Sequence, residues 1–186
     1  MLNHTGLPVI VALSGDPDPR SGETRLLARS PDVAPDTVAV NYEIDLGAIP
    51  PFTLTADRLP APVAKLRDEL ARADGLIVAT PPAAGAMAEP MSRVVQWLSG
   101  SAVLDGTPTA VLNTAVVPDA HLAHAALLEA LSGLGAVIVA RACLAIPGTA
   151  EAFDANGDLV NPFVVDAFRV ALAFLADAVL RGQSSG

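Results

Sequence analysis

At 186 residues, 52% of them apolar, the chain is long enough to bury a substantial core, and we expect one domain over residues 1–186 with frayed ends at 1–6 and 183–186. The net charge of −9 argues against nucleic-acid binding, and no apolar run reaches the roughly 18 residues of a membrane span. The single cysteine, Cys143, excludes an internal disulfide framework. The first residues lack a secretory signal pattern, which predicts a cytoplasmic protein.

Short apolar, β-branched runs alternate with helical patterns along the chain. Strands are predicted at 7–13, 37–42, 75–79, 109–112 and 137–145, and helices at 23–29, 62–72, 89–99, 119–134 and 163–180. Pro31 and Pro35 are expected to stop the first helix. Uniformly apolar strands separated by helices favour a parallel sheet covered on both faces. Right-handed crossovers then give the strand order 2-1-3-4-5, so the predicted fold is a flavodoxin-like, three-layer α/β sandwich with a five-stranded parallel sheet.

Two helices and one cysteine add specific expectations about the core. The helix at 119–134 has a stripe of Leu122, Ala126, Leu127, Leu131 and Leu134, and the terminal helix repeats apolar residues at three- and four-residue spacing at Phe163, Ala167, Val170, Phe174 and Ala178. Cys143 lies in the apolar run of the fifth predicted strand and is interpreted as a small buried hydrophobe.

The segment 72–97 is the most informative part of the chain. A buried strand runs into Thr80-Pro81, a loop of small residues follows, and a helix then ends on Trp97. In open α/β sheets ligands bind just past the carboxyl ends of such strands. From Val9 to the last helix, the chain resembles the NAD(P)H-dependent FMN reductases. The resemblance rests on this segment, Ser14-Gly15, Asp45-Leu46, Leu104-Asp105-Gly106 and Ile146-Pro147-Gly148.

The resemblance implies that FMN lies across the ends of the first, third and fourth strands. A hydride would pass from NAD(P)H through FMN to a small acceptor such as a flavin or a quinone, and the flavin would supply the chemistry. A homodimer paired through helices that flank the flavin loop is also implied. Independently of the resemblance, the terminal helix has few charged residues and can contribute to a dimer interface. The residues implied in cofactor binding are Ser14, Arg20, Ser21, Thr24, Pro81, Pro82, Ala83, Ala84, Gly85, Thr114 and Ala115.

The loop after the first strand departs from the family pattern. Asp16 and Asp18 stand where the family has Ser and often Arg, and Pro17 and Pro19 remove two backbone N–H donors. Carboxylates repel a phosphate dianion, whereas the hydroxyls and Arg20 can bind one. Two interpretations stay open here: a weakened phosphate site, or an acidic surface turn before a helix capped by Ser21. Two carboxylates without further ligands do not predict a metal site.

The loop at 81–85 also lacks the aromatic and amide side chains that the family places beside the flavin ring. Gly85 would still let the backbone approach a flat ligand. Alternatively, the alanines enlarge a pocket for a bulkier apolar molecule. Met87 and Met91 can line such a pocket, although a methionine pair at this spacing is more often core.

His121 and His124 lie three residues apart and therefore share a helix face. If the chain binds no flavin, His121 is the candidate acid or base of a non-redox enzyme acting on an apolar small molecule. A third hypothesis is a non-catalytic binding subunit. No sequence-local third ligand accompanies the two histidines, so no metal is predicted.

Overall fold

The sheet of the computed structural model has the predicted order. The structure describes residues 6–42, 45–54, 58–80, 87–114 and 120–184. Within these residues five strands pair in parallel in the order β2-β1-β3-β4-β5, which confirms the flavodoxin-like fold. The strands are β1 (Val9–Ser14), β2 (Ala39–Asn41), β3 (Gly75–Thr80), β4 (Pro108–Asn113) and β5 (Val137–Ile138).

Helices cover both faces of this sheet. They are α1 (Gly22–Ala28), α2 (Ser30–Val33), α3 (Ala61–Ala71), α4 (Glu89–Leu98), α5 (Ala120–Gly133) and α6 (Pro162–Gln183). Short 3₁₀ turns occur at Leu46–Ala48 and Ala140–Ala142. None of the helices in the described ranges is long and apolar enough to cross a membrane.

Successive side chains of the buried strands pack alternately into two separate cores, one on each face of the sheet. In β1, Ile10 and Ala12 pack with α1 and α6, whereas Val11 and Leu13 pack with α3, α4 and α5. This is the two-fold alternation of a strand buried on both faces, and it explains why the strands read as continuous apolar runs.

The strand register aligns the ends of the three central strands. Ser14 of β1 is opposite Ala79 of β3, and Thr80 of β3 is opposite Asn113 of β4. The segments that follow these strands therefore leave the sheet at one edge, where ligands bind in open α/β folds.

The fifth strand is shorter than predicted. Instead of a strand over 137–145, pairing stops after Ile138, and the chain forms the 3₁₀ turn at Ala140–Ala142 before a single bridge joins Ala145 to Asn113. Ala142 is fully buried in the core under α6. At this position the chain packs against a helix instead of pairing with β4 in the sheet. Cys143 is half-buried and is not the fully buried residue that was expected.

The buried faces of α5 and α6 also differ from the predicted stripes. In α6 the core residues are Val164, Phe168, Leu172 and Leu175, with others at the same spacing, while Phe163 is 60% exposed. In α5 the predicted Leu127, Leu131 and Leu134 do pack in or against the core, whereas Leu122 is 51% exposed and Ala126 is also exposed. Both helices have apolar residues on more than one side, so periodicity alone offers several candidate faces.

The first helix ends at Ala28, before Pro31, close to its predicted end at residue 29. Pro31 lies in the first turn of a separate short helix, α2, where a missing N–H costs no hydrogen bond. The last helix extends to Gln183, which the sequence suggested as part of a frayed end. The Gln183 side chain donates to the Asp74 carboxylate at 3.0 Å.

Candidate functional site at the ends of β1, β3 and β4

A buried pair of hydroxyls marks the end of β1. Ser14 and Thr24 are each 7% exposed, and their side-chain oxygens lie 2.6 Å apart. Both hydroxyls also lie within hydrogen-bond distance of the Asp16 carbonyl oxygen, at 3.1 Å and 2.9 Å. These contacts fold the loop after β1 back on the start of α1.

The first turn of α1 is fixed by Ser21. The Ser21 hydroxyl accepts a hydrogen bond from the Thr24 backbone N–H at 3.2 Å, which is the N-cap geometry that the sequence predicted. Gly22 follows it in close contact with the segment after β5, because a Cβ at Gly22 would lie 2.6 Å from the Thr149 hydroxyl. This glycine therefore sets how closely α1 approaches that segment.

Arg20 lies outside this buried cluster. Its guanidinium forms a two-point ion pair with Asp18, at 3.2 Å for both Nε–Oδ1 and Nη2–Oδ2, and its side chain is 88% exposed. The bond to Arg20 lowers the pKa of the Asp18 carboxyl, and Asp18 in turn raises the pKa of the guanidinium. Arg20 is thus a surface cation that is already paired.

Thr114 joins the end of β4 to the same cluster. Its hydroxyl donates to the Glu23 carboxylate and lies 3.1 Å from the Thr80 carbonyl oxygen at the end of β3. Thr114 is 6% exposed and Glu23 is 8% exposed. Since Glu23 and Thr24 are neighbours in the first turn of α1, two buried polar contacts, Ser14–Thr24 and Glu23–Thr114, lie at the start of this helix.

Glu23 was not among the residues that the sequence indicated. A glutamate in the first turn of a helix is ordinarily explained by the favourable helix dipole, and such residues are usually exposed. Here the carboxylate is buried against a threonine 91 residues away in sequence. Only the packing of α1 on the ends of β3 and β4 reveals this contact.

A cleft of about 310 Å³ opens beside the loop after β1, on the side of β2. Its lining combines Pro17 and Pro19 with polar side chains from two loops: Ser14, Asp16, Thr24, Tyr42 and Asp45, together with Leu46. Burial raises the pKa of Tyr42, so its phenol stays protonated at neutral pH and remains a hydrogen-bond donor. The sequence analysis did not single out Tyr42.

The two histidines of α5 differ in burial. His121 is exposed, and His124 is half-buried with a buried Nδ1 that has no hydrogen-bond partner among the described residues. Burial lowers the pKa of His124, which favours the neutral imidazole. Within the described ranges, three or more His, Cys, Asp or Glu side chains nowhere gather as a metal site would require.

Several predicted positions lie outside the described residues. These are Ala115 and the whole ring loop, namely Pro81, Pro82, Ala83, Ala84 and Gly85. Of the two methionines proposed as pocket residues, Met91 is fully buried and Met87 is half-buried against the same core. Trp97 is a core residue whose indole N–H donates to the Pro50 carbonyl at 2.8 Å, with Phe52 edge-on at 5.0 Å.

The gathered side chains suit a flavin nucleotide in kind and position. Hydroxyls from Ser14, Ser21 and Thr24 are partners for a ribityl chain or a phosphate, and a guanidinium offsets phosphate charge. They stand beside the aligned ends of the central strands, where a planar ring can lie across the sheet edge. The hydrogen bonds that these side chains make within the loop affect how tightly a flavin binds and do not change where it binds.

Comparison with known proteins agrees with this geometry. Residues 8–151 match the family model described as NADPH-dependent FMN reductase, which covers well over half of the chain. The match confirms the family resemblance and supports the predicted cofactor, FMN, with NAD(P)H as co-substrate. No curated protein sequence matches this chain significantly.

Solved structures with similar folds include several oxidoreductases. The flavoenzyme NAD(P)H:(acceptor) oxidoreductase FerB from Paracoccus denitrificans superposes with a TM-score of 0.72 at 19% identity, covering 94% of this chain and 98% of that one. An oxidoreductase from Corynebacterium diphtheriae gives 0.64 at 19% identity, with coverage of 94% and 98%. RosB, solved with 8-demethyl-8-formylriboflavin-5'-phosphate, gives 0.69 at 17% identity, with coverage of 96% and 81%. At these identities the similarity establishes the fold.

Proposed function

Because this chain belongs to the NADPH-dependent FMN reductase family, we propose that it is an NAD(P)H-dependent flavin oxidoreductase that passes electrons to a small acceptor such as a flavin or a quinone. The observation behind the proposal is a group of two buried polar contacts, Ser14–Thr24 and Glu23–Thr114, at the start of α1. It lies at the aligned strand ends, within the segment that matches the family. Bound FMN would supply the hydride and electron chemistry.

The roles proposed for this chain's residues are binding and positioning. Ser14, Ser21 and Thr24 offer hydroxyls to the ribityl chain of the flavin, and Arg20, paired with Asp18, lies at the rim of the site. Thr114 ties the end of β4 to α1 and to the end of β3, so it holds two of the loops that flank the flavin. The segment at 81–85 and Ala115 are proposed as the contacts to the ring.

The proposal extends to the working form of the protein. We propose a cytoplasmic homodimer in which α6 contributes to the interface. Its support is the exposure of Phe163 and Val170 on the outside of α6, at 60% and 44%. Large exposed apolar side chains on one helix are typical of protein–protein contacts. Sedimentation analysis should then give a mass near twice the 18.9 kDa of one chain.

The non-redox alternative has less support. It depended on His121 as acid or base, and His121 is an exposed residue of α5. Among the described residues no metal-type cluster accompanies it, and the alanines suggested to enlarge an apolar pocket lie outside those residues.

The test is to titrate the purified protein with FMN while following flavin fluorescence, and then to assay NADPH and NADH oxidation with FMN and a quinone as acceptors. We expect saturable quenching in the micromolar range and acceptor-dependent oxidation. A protein that leaves flavin fluorescence unchanged and oxidises neither nicotinamide would refute the proposal. Thr114→Val is a useful variant in this assay, because it removes the hydroxyl that joins the loops without changing side-chain shape.

A further inference from the structure

Backbone N–H groups of the loop between β1 and α1 already donate hydrogen bonds within the chain. Gly15 N–H donates to the Ala79 carbonyl at 2.7 Å, and Asp16 N–H lies 3.3 Å from the Ser14 hydroxyl oxygen. Asp18 N–H donates to the Asp16 carboxylate at 2.8 Å, and Arg20 N–H donates to the Asp18 carboxylate at 2.9 Å. Ser21 N–H donates to the Asp18 carbonyl at 3.0 Å. With prolines at 17 and 19, each backbone N–H from Gly15 to Ser21 has a partner within the chain.

The side chains of Ser14, Arg20 and Thr24 also have hydrogen-bond partners within the chain. The Arg20 guanidinium is paired with Asp18 at two points. The Ser14 and Thr24 hydroxyls bind each other and the Asp16 carbonyl. A phosphate that binds to the segment from Gly15 to Arg20 would therefore have to displace a carboxylate or a hydroxyl from an existing hydrogen bond, and its own bonds would give little net gain.

The charges of the loop oppose a phosphate as well. Between Ser14 and Thr24 there are three carboxylates, Asp16, Asp18 and Glu23, and one cation, Arg20. A dianion adds repulsion from each carboxylate, whereas a neutral hydroxyl can donate a hydrogen bond to one of them. The same loop therefore gives a phosphorylated ligand tail no advantage over an unphosphorylated one.

We propose that Asp16 and Asp18 close the phosphate subsite of this flavin site, so that the chain binds riboflavin and FMN with about equal affinity. The inference rests on the proposed flavin function and refines its substrate class. The flavin is selected by its ring and ribityl chain, and the phosphate adds no binding energy. In this role Asp16 and Asp18 are specificity-determining residues.

Two double variants separate the effect of the negative charges from the effect of the occupied hydrogen-bond donors. D16N/D18N removes both negative charges and keeps side-chain oxygens that can accept the Asp18 and Arg20 N–H bonds. D16S/D18S removes the charges and also frees these N–H groups and the Arg20 guanidinium. D166N is the matched control, because Asp166 is an exposed aspartate paired with Arg169 at 2.8 Å in α6. Thermal unfolding of each variant verifies that it folds.

The measurement is the dissociation constant for FMN and for riboflavin, by quenching of flavin fluorescence, in each protein. We expect the two constants of the wild type to agree within about threefold. D16N/D18N should bind FMN about threefold more tightly because the charge repulsion is removed, and D16S/D18S about tenfold more tightly because the Arg20 guanidinium and the freed N–H groups can also bind the phosphate. Both should leave the dissociation constant for riboflavin within about twofold. D166N should behave as the wild type does.

Each other outcome counts against the inference. A wild type that prefers FMN by tenfold or more overturns it and leaves the proposed flavin function intact. So do double variants that fold and leave the ratio of the two constants unchanged. If neither flavin binds to any of the proteins, the proposed function fails and the inference fails with it.

Discussion

Thr114 and Glu23 form the buried polar contact on which the site depends most. Each side chain is less than a tenth exposed, and the Thr114 hydroxyl donates to the Glu23 carboxylate. A carboxylate removed from water is costly unless it keeps hydrogen bonds. The contact therefore fixes the start of α1 against the ends of β3 and β4.

We expect Thr114→Val to lower the free energy of unfolding by about 2–3 kcal/mol, because it takes a hydrogen bond from a buried carboxylate. Urea denaturation measures this. Thr109→Val, within β4 itself, is the matched control. Thr109 is also buried, but its hydroxyl donates to the neutral carbonyl of Thr107 at 3.0 Å, so the expected loss is about 1 kcal/mol. Equal losses in the two variants would contradict a special role for Glu23.

His124 gives the folded chain a specific pH dependence. Burial lowers the pKa of His124 below its ordinary value of 6.5, so the unfolded chain binds a proton more readily than the folded one. Its contribution to stability is present in full above about pH 6.5 and is lost as the pH falls from there toward the folded pKa.

Denaturation curves across this pH range, combined with NMR titration of the imidazole, test this expectation. The free energy of unfolding should decrease as the solution is acidified below pH 6.5, and His124→Gln should flatten that decrease. A slope that is the same in the variant would assign the pH dependence to other groups.

Among the elements, α1 is held against the segment after β5 by a glycine. A Cβ at Gly22 would lie 2.8 Å from the Ala150 backbone nitrogen as well as close to Thr149. Nearby, the Arg29 guanidinium donates to the Gly157 carbonyl at 2.7 Å, and the Arg25 guanidinium lies 3.9 Å from the Phe153 ring centre. The small residue at the helix start permits this close packing.

Gly22→Ala should therefore destabilise the protein by about 1–3 kcal/mol, since backbone must move to admit the methyl group. Gly133→Ala is the control. Gly133 ends α5 with open space around its Cβ position, and alanine there should be neutral or stabilise by up to about 1 kcal/mol. Thermal unfolding compares the two. A neutral Gly22→Ala would mean that α1 does not need this close approach.

At the scale of the whole molecule, the net charge of −9 affects the encounter with nicotinamide nucleotides. NADPH is itself an anion, so long-range repulsion slows its approach at low salt. Salt shortens the Debye length from about 30 Å at 0.01 M to about 8 Å at 0.15 M and so screens the repulsion.

We expect kcat/KM for NADPH to rise about twofold or more between these salt concentrations, whereas kcat/KM for an uncharged quinone stays constant. Steady-state kinetics with each substrate varied in turn gives both values. A value for NADPH that falls with added salt would indicate a local cationic site that outweighs the net charge.

The sequence by itself determined the alternation of strands and helices, the strand order and the place of the loops that follow β1, β3 and β4. These features depend on local patterns: apolar runs of strand length, helical spacing and turn residues. The cap at Ser21 and the acidic loop at Asp16 and Asp18 were likewise predicted, because each is decided within a few residues.

Only the tertiary structure decided which faces of α5 and α6 are buried, where β5 ends, and that Glu23 meets Thr114. The first two depend on competition between apolar surfaces, which a pattern with several apolar faces cannot resolve. The last joins residues 91 positions apart, and the internal hydrogen bonds of the β1–α1 loop depend on the folded shape of that loop. Such contacts are set by how elements pack, and packing is a property of the whole chain.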